Sequence, residues 1–329
     1  MMTESPAREE ASVAHAADAR PKVGFIVGPT GAGKTAIAIA VAERIGAEIV
    51  NADSRQLYRT MDLGTAKPSP EELRRVAHHL IDIRDPDQPL DVAAFAELAH
   101  AAITETSSRG RPALVVGGSG LYFRVLRAGI FAGPPADAAI RARLATVGEE
   151  AGLPALHQRL ATIDPAAAAR INPNDRIRII RALEVFELTG EPISRLQARH
   201  HFGPQPYASL TVGVTRPREL LYAAIDRRFD TMVGAGLIDE VRRLLAAGYE
   251  TAALARTTGY REIAAYLRGE IDLPTAVDRA KRESRRLAKR QLTWFRAEPE
   301  IAWIDAGAGA AQAIELFKDF FAGRTKPTE

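Results

Sequence analysis

Gly28-Pro29-Thr30-Gly31-Ala32-Gly33-Lys34-Thr35 follows the apolar run Val23–Val27 and opens a helical stretch that continues to Ile45. The spacing G-x-x-x-x-G-K-S/T is that of a phosphate-binding loop, in which glycines let a tight turn aim successive backbone N–H groups at an anion. Lys34 adds a point charge there, and the Thr35 hydroxyl is placed to ligate a Mg2+ shared with the bound phosphates. The new helix contributes the positive end of its dipole. The expectation is a bound polyphosphate, whose identity the loop alone leaves open.

Outward from the loop, the first third of the chain alternates strand and helix. Ala47–Ala52 and Pro112–Val116 read as short buried strands, and Ile37–Ile45 and Val92–Thr106 carry helical periodicity. This pattern predicts an α/β fold, a P-loop NTPase-like parallel sheet flanked by helices. Ligands of such sheets lie beyond the carboxyl ends of the strands. Three polar segments leave strands at that edge: the phosphate loop, Asp53-Ser54-Arg55-Gln56, and Gly117-Gly118-Ser119-Gly120.

Near Gly133-Pro134-Pro135 the character changes to Ala- and Arg-rich helix. Asn174 or Asp175 is expected to cap a helix running to Leu188, with Gly190 just past its end. Ser209–Val214 and Ile301–Ile304 read as strands again. The division that follows is a P-loop α/β core over 21–133 and 207–329, with an all-helical insertion over 134–206. Residues 1–20 read as a disordered tail without an apolar signal core.

The chain of 329 residues is 46% hydrophobic and has no cysteine, which excludes disulfides, thiolate zinc sites and cysteine nucleophiles. No apolar stretch is long enough to span a bilayer, so a cytoplasmic, non-membrane protein is expected, with monomer as the default state. Net charge is only +3, yet Arg279–Arg290 holds seven basic residues against one acid, Glu283. On a helix, Arg279, Arg282, Arg285, Arg286, Lys289 and Arg290 fall within an arc of roughly 140°. Ala280, Leu287 and Ala288 lie outside it. The sparsity of interleaved acids favours an anionic partner over a merely solvated face.

Asp53 ends its strand at the crevice edge. A carboxylate there can hold Mg2+ or take a proton, or it can simply cap the segment from Ser54 onward. Ser54, Arg55 and Gln56 suit the edge of a nucleobase. The strand Ala113–Val116 ends in glycines rather than the acid of an NTP hydrolase; Asp82 and Asp85 are weak substitutes. That glycine run permits close backbone approach by a ligand. Gly64-Thr65-Ala66-Lys67-Pro68 either lays a lysine near an anion or forms an ordinary surface turn. Arg178 and Arg181 share a helix face with Asp175. His78 and His79 lack metal-ligand spacing with other histidines and read as structural or surface groups.

In their order, GPTGAGKT, DSRQLY, GTAKP, HHLIDIRDP, VGGSGLY, INPNDRIRIIRALEVF, TGYREI and AKRQLTWFR resemble the tRNA dimethylallyltransferase family from about Val23 to Arg296. The resemblance implies transfer of a five-carbon prenyl group from dimethylallyl diphosphate to N6 of the adenosine immediately 3′ to the anticodon. It reassigns Gly28–Thr35 to the donor diphosphate, with Mg2+ as counter-charge. It implies Asp53 as general base, and Lys34 and Arg218 as groups that stabilise the leaving diphosphate. It also implies tRNA contacts at Asp53, Ser54, Arg55, Gln56, Ser119 and Arg141, and along Ile177, Arg178, Ile179, Ile180 and Arg181. Ser119 stands where most relatives carry threonine, and Ile177 where glutamine is common. Arg282, Arg286 and Lys289 of the basic helix are expected to hold the backbone of the tRNA anticodon stem-loop. Three rivals remain: prenylation of a free adenylate, a P-loop small-molecule kinase, and a non-catalytic nucleic-acid module. The helical insertion and the basic helix argue against the first, because a mononucleotide needs neither.

Overall fold

The computed structural model describes residues 20–129, 133–199, 205–250, 252–307 and 309–324. The expectation of a disordered tail thus lies, Arg20 apart, outside the described residues. Six strands, β1 Lys22–Val27, β2 Glu48–Asn51, β3 His78–His79, β4 Ala113–Gly117, β5 Ala208–Thr215 and β6 Ile301–Asp305, form one sheet. Their order is β3-β2-β4-β1-β5-β6, and every pairing is parallel. All carboxyl ends therefore share one edge, with the phosphate loop at its middle. The edge strand β3 escaped the sequence reading because two residues carry no period.

Alternation along β1 sends Val23, Phe25 and Val27 to one face and Ile26 to the other. The core helices before the insertion are α1 Lys34–Ile45, α2 Pro70–Arg75, α3 Val92–Ser108 and α4 Gly120–Ala128. Phe25 and Val115 pack with Phe95 of α3 and Phe123 of α4 on one face. Ile26 and Val212 pack on the other with Ile37 of α1 and Phe317 of a C-terminal helix.

Five helices follow: α5 Ala138–Glu150, α6 Leu153–Ile163, α7 Pro165–Arg170, α8 Arg176–Thr189 and α9 Ile193–Arg199. They have an apolar centre of their own, built on Leu144, Leu156, Leu160, Ile179 and Leu183. Asp175 caps α8 through the Arg178 N–H, and Gly190 ends it in the left-handed conformation. The chain returns through β5 to α10 Arg218–Gly234, α11 Leu237–Ala246, α12 Ala252–Arg256, α13 Tyr260–Leu267, α14 Leu273–Arg296 and, after β6, α15 Gly309–Phe321. Residues of α10, α11, α13 and α14 close over Tyr58 and Met61 in a separate cluster around Leu237, Tyr260 and Ile263. This cluster anchors the loops that border the site.

Candidate functional site: two cavities meeting at Asp53

β1 hands directly into the phosphate loop and α1 leaves it at Lys34. Gly28, Gly31 and Gly33 have φ of 141°, 81° and 98°, values open mainly to glycine. A Cβ at Gly31 would come within 2.7 Å of Ile225. Lys34 Nζ donates to Pro29 O at 2.9 Å, clasping its own loop. Burial pushes this ammonium down to about 8; nearby Asp53 opposes the shift and Arg228 adds to it. A cavity of about 420 Å3 opens here, lined by the loop, Thr35, Asn51, Asp53, Arg216 and Arg228.

A second cavity of about 510 Å3 lies across Asp53, lined among others by Ser54, Arg55, Ser119, Arg178, Arg256 and Trp294. Thr30, Asp53, Thr65, Arg228 and Gln291 border both hollows. These five are the junction. Arg228 Nη2 donates to Thr30 Oγ1 at 2.6 Å, and Thr30 N donates to Gln291 Oε1 at 2.8 Å. Gln291 Nε2 in turn donates to Gly118 O at 2.8 Å, so α14 ties the phosphate loop to the end of β4.

Asp53 is held by its own neighbours. Asn51 Oδ1 accepts the Asp53 N–H at 3.0 Å while Asn51 Nδ2 donates to Leu80 O at 2.9 Å. Asp53 Oδ1 accepts the Arg55 N–H at 2.8 Å. Among the described residues no group donates to Oδ2. One oxygen thus caps the turn and the other is free for the junction, so the capping and chemical readings of this carboxylate are compatible.

The loop that carries Thr65 is fixed from below. Glu240, only 5% exposed, accepts the N–H groups of Asp62, Leu63 and Gly64 at 3.2, 2.9 and 3.4 Å, and the Tyr260 hydroxyl at 2.5 Å. Burial and this carboxylate push the Tyr260 phenol far up, so it stays a donor. Gln56 Nε2 donates to Thr65 O and Ala66 O at 3.2 and 3.0 Å. That amide nitrogen braces the loop, while Gln56 still lines the first cavity. Lys67 is likewise committed: its ammonium, 5% exposed, meets Asp62, Asp82 and Tyr58 O. It is neutralised before any ligand arrives.

Further corrections follow from burial and pairing. Side chains at Gly117, Gly118 and Gly120 would meet Ala52, Gln291 and Trp294, so these glycines admit protein neighbours, while Gly117 also lines the first cavity and Gly118 and Gly120 the second. Ile179 and Ile180 are buried in the insertion and offer RNA no side chain. Arg141 grips the fully buried Glu184 through Nε and Nη2 at 2.8 and 3.0 Å; Arg181 reaches the same carboxylate at 2.7 Å and Pro134 O at 2.8 Å. Both arginines hold the insertion together. Ile177, by contrast, is 73% exposed beside Arg178. Arg218 is exposed and stacks on the Tyr222 ring at 5.2 Å, lining neither cavity. Two arginines the sequence reading passed over take its place. Arg216 donates to Ala32 O at 3.1 Å, and Arg228 reaches the junction.

Arg282, Arg286 and Lys289 are exposed on α14. The basic helix is less bare than its sequence suggested: Lys281 and Arg285 pair with Asp230 and Asp226 of α10, Arg282 with Asp278 and Arg286 with Glu283. Lys289 and Arg290 have no acid partner among the described residues. His79 meets Glu48 at 2.7 Å, a structural pairing. No group of three metal-ligating side chains occurs among the described residues.

A family profile described as IPP transferase matches residues 56–298. A tRNA dimethylallyltransferase of Syntrophobacter fumaroxidans is 52% identical over 283 residues, covering 86% of this chain and 83% of its own. The crystal structure of a tRNA isopentenylpyrophosphate transferase from Bacillus halodurans superposes with a TM-score of 0.69 at 42% identity, over 93% of this chain and 97% of that one. A eukaryotic dimethylallyltransferase acting on tRNA has the same fold, with a TM-score of 0.78 at 24% identity over 94% and 81% of the two chains. With the phosphate loop, the junction carboxylate and these likenesses in agreement, the chain belongs to the IPP transferase family.

Proposed function

We propose that this protein is a tRNA dimethylallyltransferase that holds dimethylallyl diphosphate in the phosphate-loop cavity and the adenine to be modified in the cavity across Asp53. The single observation that carries the reading is the junction itself. One carboxylate with a free oxygen lies where an anion cradle opens into a second hollow edged by polar and cationic side chains.

The adenine must leave its stack to enter such a cavity. Its N6 lone pair attacks the terminal allylic carbon of the donor, the carbon–oxygen bond breaks, and diphosphate departs with the electron pair. Asp53 Oδ2 takes the proton released from N6 as the new bond forms. Negative charge builds on the leaving diphosphate, which Lys34 and Arg228 of the cavity lining and the loop N–H groups can stabilise. Arg216 adds charge on the same side. The allylic carbon turns electron-poor as its bond to oxygen lengthens, so water must be kept from it during transfer.

The residues fit Mg2+ in this cavity. The Thr35 hydroxyl lines it and bonds no described residue, and Mg2+ in phosphate sites commonly keeps several waters and few protein ligands. When bound, it would neutralise diphosphate oxygens beside Thr35. The end of β4 at Gly117 offers no carboxylate of the kind an NTP hydrolase uses, which disfavours the kinase reading.

The test is incubation with dimethylallyl diphosphate, Mg2+ and unmodified tRNA, followed by mass analysis of the nucleosides. The expected product is N6-dimethylallyl adenosine from the anticodon loop. Transfer to free AMP with tRNA left unmodified, or ATP turnover without prenyl transfer, overturns the proposal.

A further inference from the structure

Arg286, Lys289, Arg290, Thr293 and Trp294 recur at helical spacing along one stripe of α14 and line an open hollow of about 470 Å3 with a mainly apolar wall. Arg290 and Trp294 also line the cavity assigned above to the acceptor adenine, so the two adjoin. We propose that this stripe is a stacking site for one nucleotide flanking the acceptor, with Trp294 as the platform. The inference rests on the acceptor reading of the neighbouring cavity and adds a second base-sized subsite to it.

Trp294 is built as a fixed platform. Helix α4 packs on the indole through Gly120, where any side chain would meet the ring. One turn later Arg124 places its guanidinium 4.7 Å from the ring centroid, held there by Glu298 at 2.6 Å. Phe123 and Phe295 contact the indole edge-on, with centroids at 6.0 and 5.0 Å. Trp294 also lines both hollows. A preoriented indole loses little freedom when a base stacks on it, and such stacking is tolerant of base identity.

The charges complete the match. Lys289 and Arg290 border the platform without an acid partner among the described residues, so they are available to the phosphates on either side of a stacked base. A nucleotide adjoining an extruded adenine lies one phosphodiester away from it. The platform shares its tryptophan with the adenine cavity, which is the adjacency such a nucleotide requires.

The test reads binding without donor, so it is independent of prenyl transfer. An anticodon stem-loop RNA is titrated into the protein while tryptophan emission is followed; Trp294→Phe leaves Trp303 as the background. Emission is expected to be quenched in the unsubstituted protein and unchanged in Trp294→Phe. An abasic nucleotide at the flanking position, tried 5′ and 3′ of the acceptor, should remove the quench at one of them and weaken binding about tenfold. Trp294→Ala should weaken intact RNA by a similar factor and barely affect that abasic RNA, because both changes delete one interaction. Trp294→Phe, which keeps a ring against α4, should retain most of the affinity. Equal weakening of intact and abasic RNA by Trp294→Ala, or a quench that survives base removal on both sides, overturns the proposal. Failure of the underlying acceptor reading is distinct: an RNA abasic at the acceptor itself would bind undiminished, and no prenyl transfer would occur.

Discussion

Arg228 donates to the Thr30 hydroxyl at 2.6 Å, joining α10 to the phosphate loop at the point where two cavities meet. Burial lowers the pKa of this guanidinium and the nearby Asp53 carboxylate opposes that shift, yet arginine stays charged at any working pH. The pair therefore brings a permanent cation to the inner edge of the anion cradle.

Arg228→Gln should lower kcat about 10²- to 10³-fold, the usual scale for losing a preorganised donor to developing charge. Arg228→Lys should recover part of that loss, since a point charge replaces the fork. Steady-state rates with the donor varied check this. A loss below tenfold, with KM for the donor raised instead, would mean that Arg228 binds ground state and transition state alike.

Asp53→Ala removes the proton acceptor and should cost at least a hundredfold in turnover. Asp53→Asn keeps an oxygen for the Arg55 N–H, so the turn survives and the same loss should follow from chemistry alone. RNA affinity should change little in both. Single-turnover prenyl transfer beside equilibrium RNA binding separates the two quantities, and a decline below about tenfold in either variant removes Asp53 from the proton transfer.

The sheet and its ligand edge were legible because strand, glycine loop and helix follow one another within a few residues, and each element satisfies a local rule. Asp175 and Gly190 bracket α8 for the same reason. The junction was only half legible. Asp53 and Thr30 sit on motifs, but Arg228 belongs to Asp226-Arg227-Arg228-Phe229-Asp230, which reads as a salt-bridged helix face. Only the packing of α10 against the loop turns one of those arginines inward. Gln291 and Glu240 were silent likewise, since their partners Thr30 and Leu63 are distant in sequence. Conversely, Arg141 looked available because nothing in a linear reading brings Glu184 to it across two helices, whereas Arg181 and Glu184 are an i,i+3 pair within α8.

Arg178 and Arg141 should respond differently to the same substitution. Arg178 is exposed, paired at 3.3 Å with Asp175 on the surface, and lines the acceptor cavity. Arg178→Ala should weaken tRNA binding and reduce the slope of log Kd against log salt by about one. Arg141→Ala should instead loosen α5 against α8, since Glu184 then keeps only Arg181 and the Asp137 N–H. Hydrogen exchange over 138–189 should rise while the salt slope stays put. A reduced slope in Arg141→Ala would show that its guanidinium leaves Glu184 for phosphate.

Lys34 sets a pH dependence whose sign can be worked out. Burial lowers its folded-state pKa from 10.5 to about 8, so between those values the unfolded chain holds a proton that the folded chain has released. Stability contributed by this site therefore rises with pH across that window, and below about pH 8 the folded protein carries the cost of a buried ammonium. A bound diphosphate reverses the balance, because an anion beside Nζ favours the charged form. Donor binding should then take up a proton above about pH 8 and weaken as pH climbs, approaching tenfold per pH unit. Calorimetry of inorganic diphosphate binding near pH 7 and pH 9, in buffers of different ionisation enthalpy, measures that proton directly. The uptake should vanish in Lys34→Met, and its persistence there would assign the titration to another group.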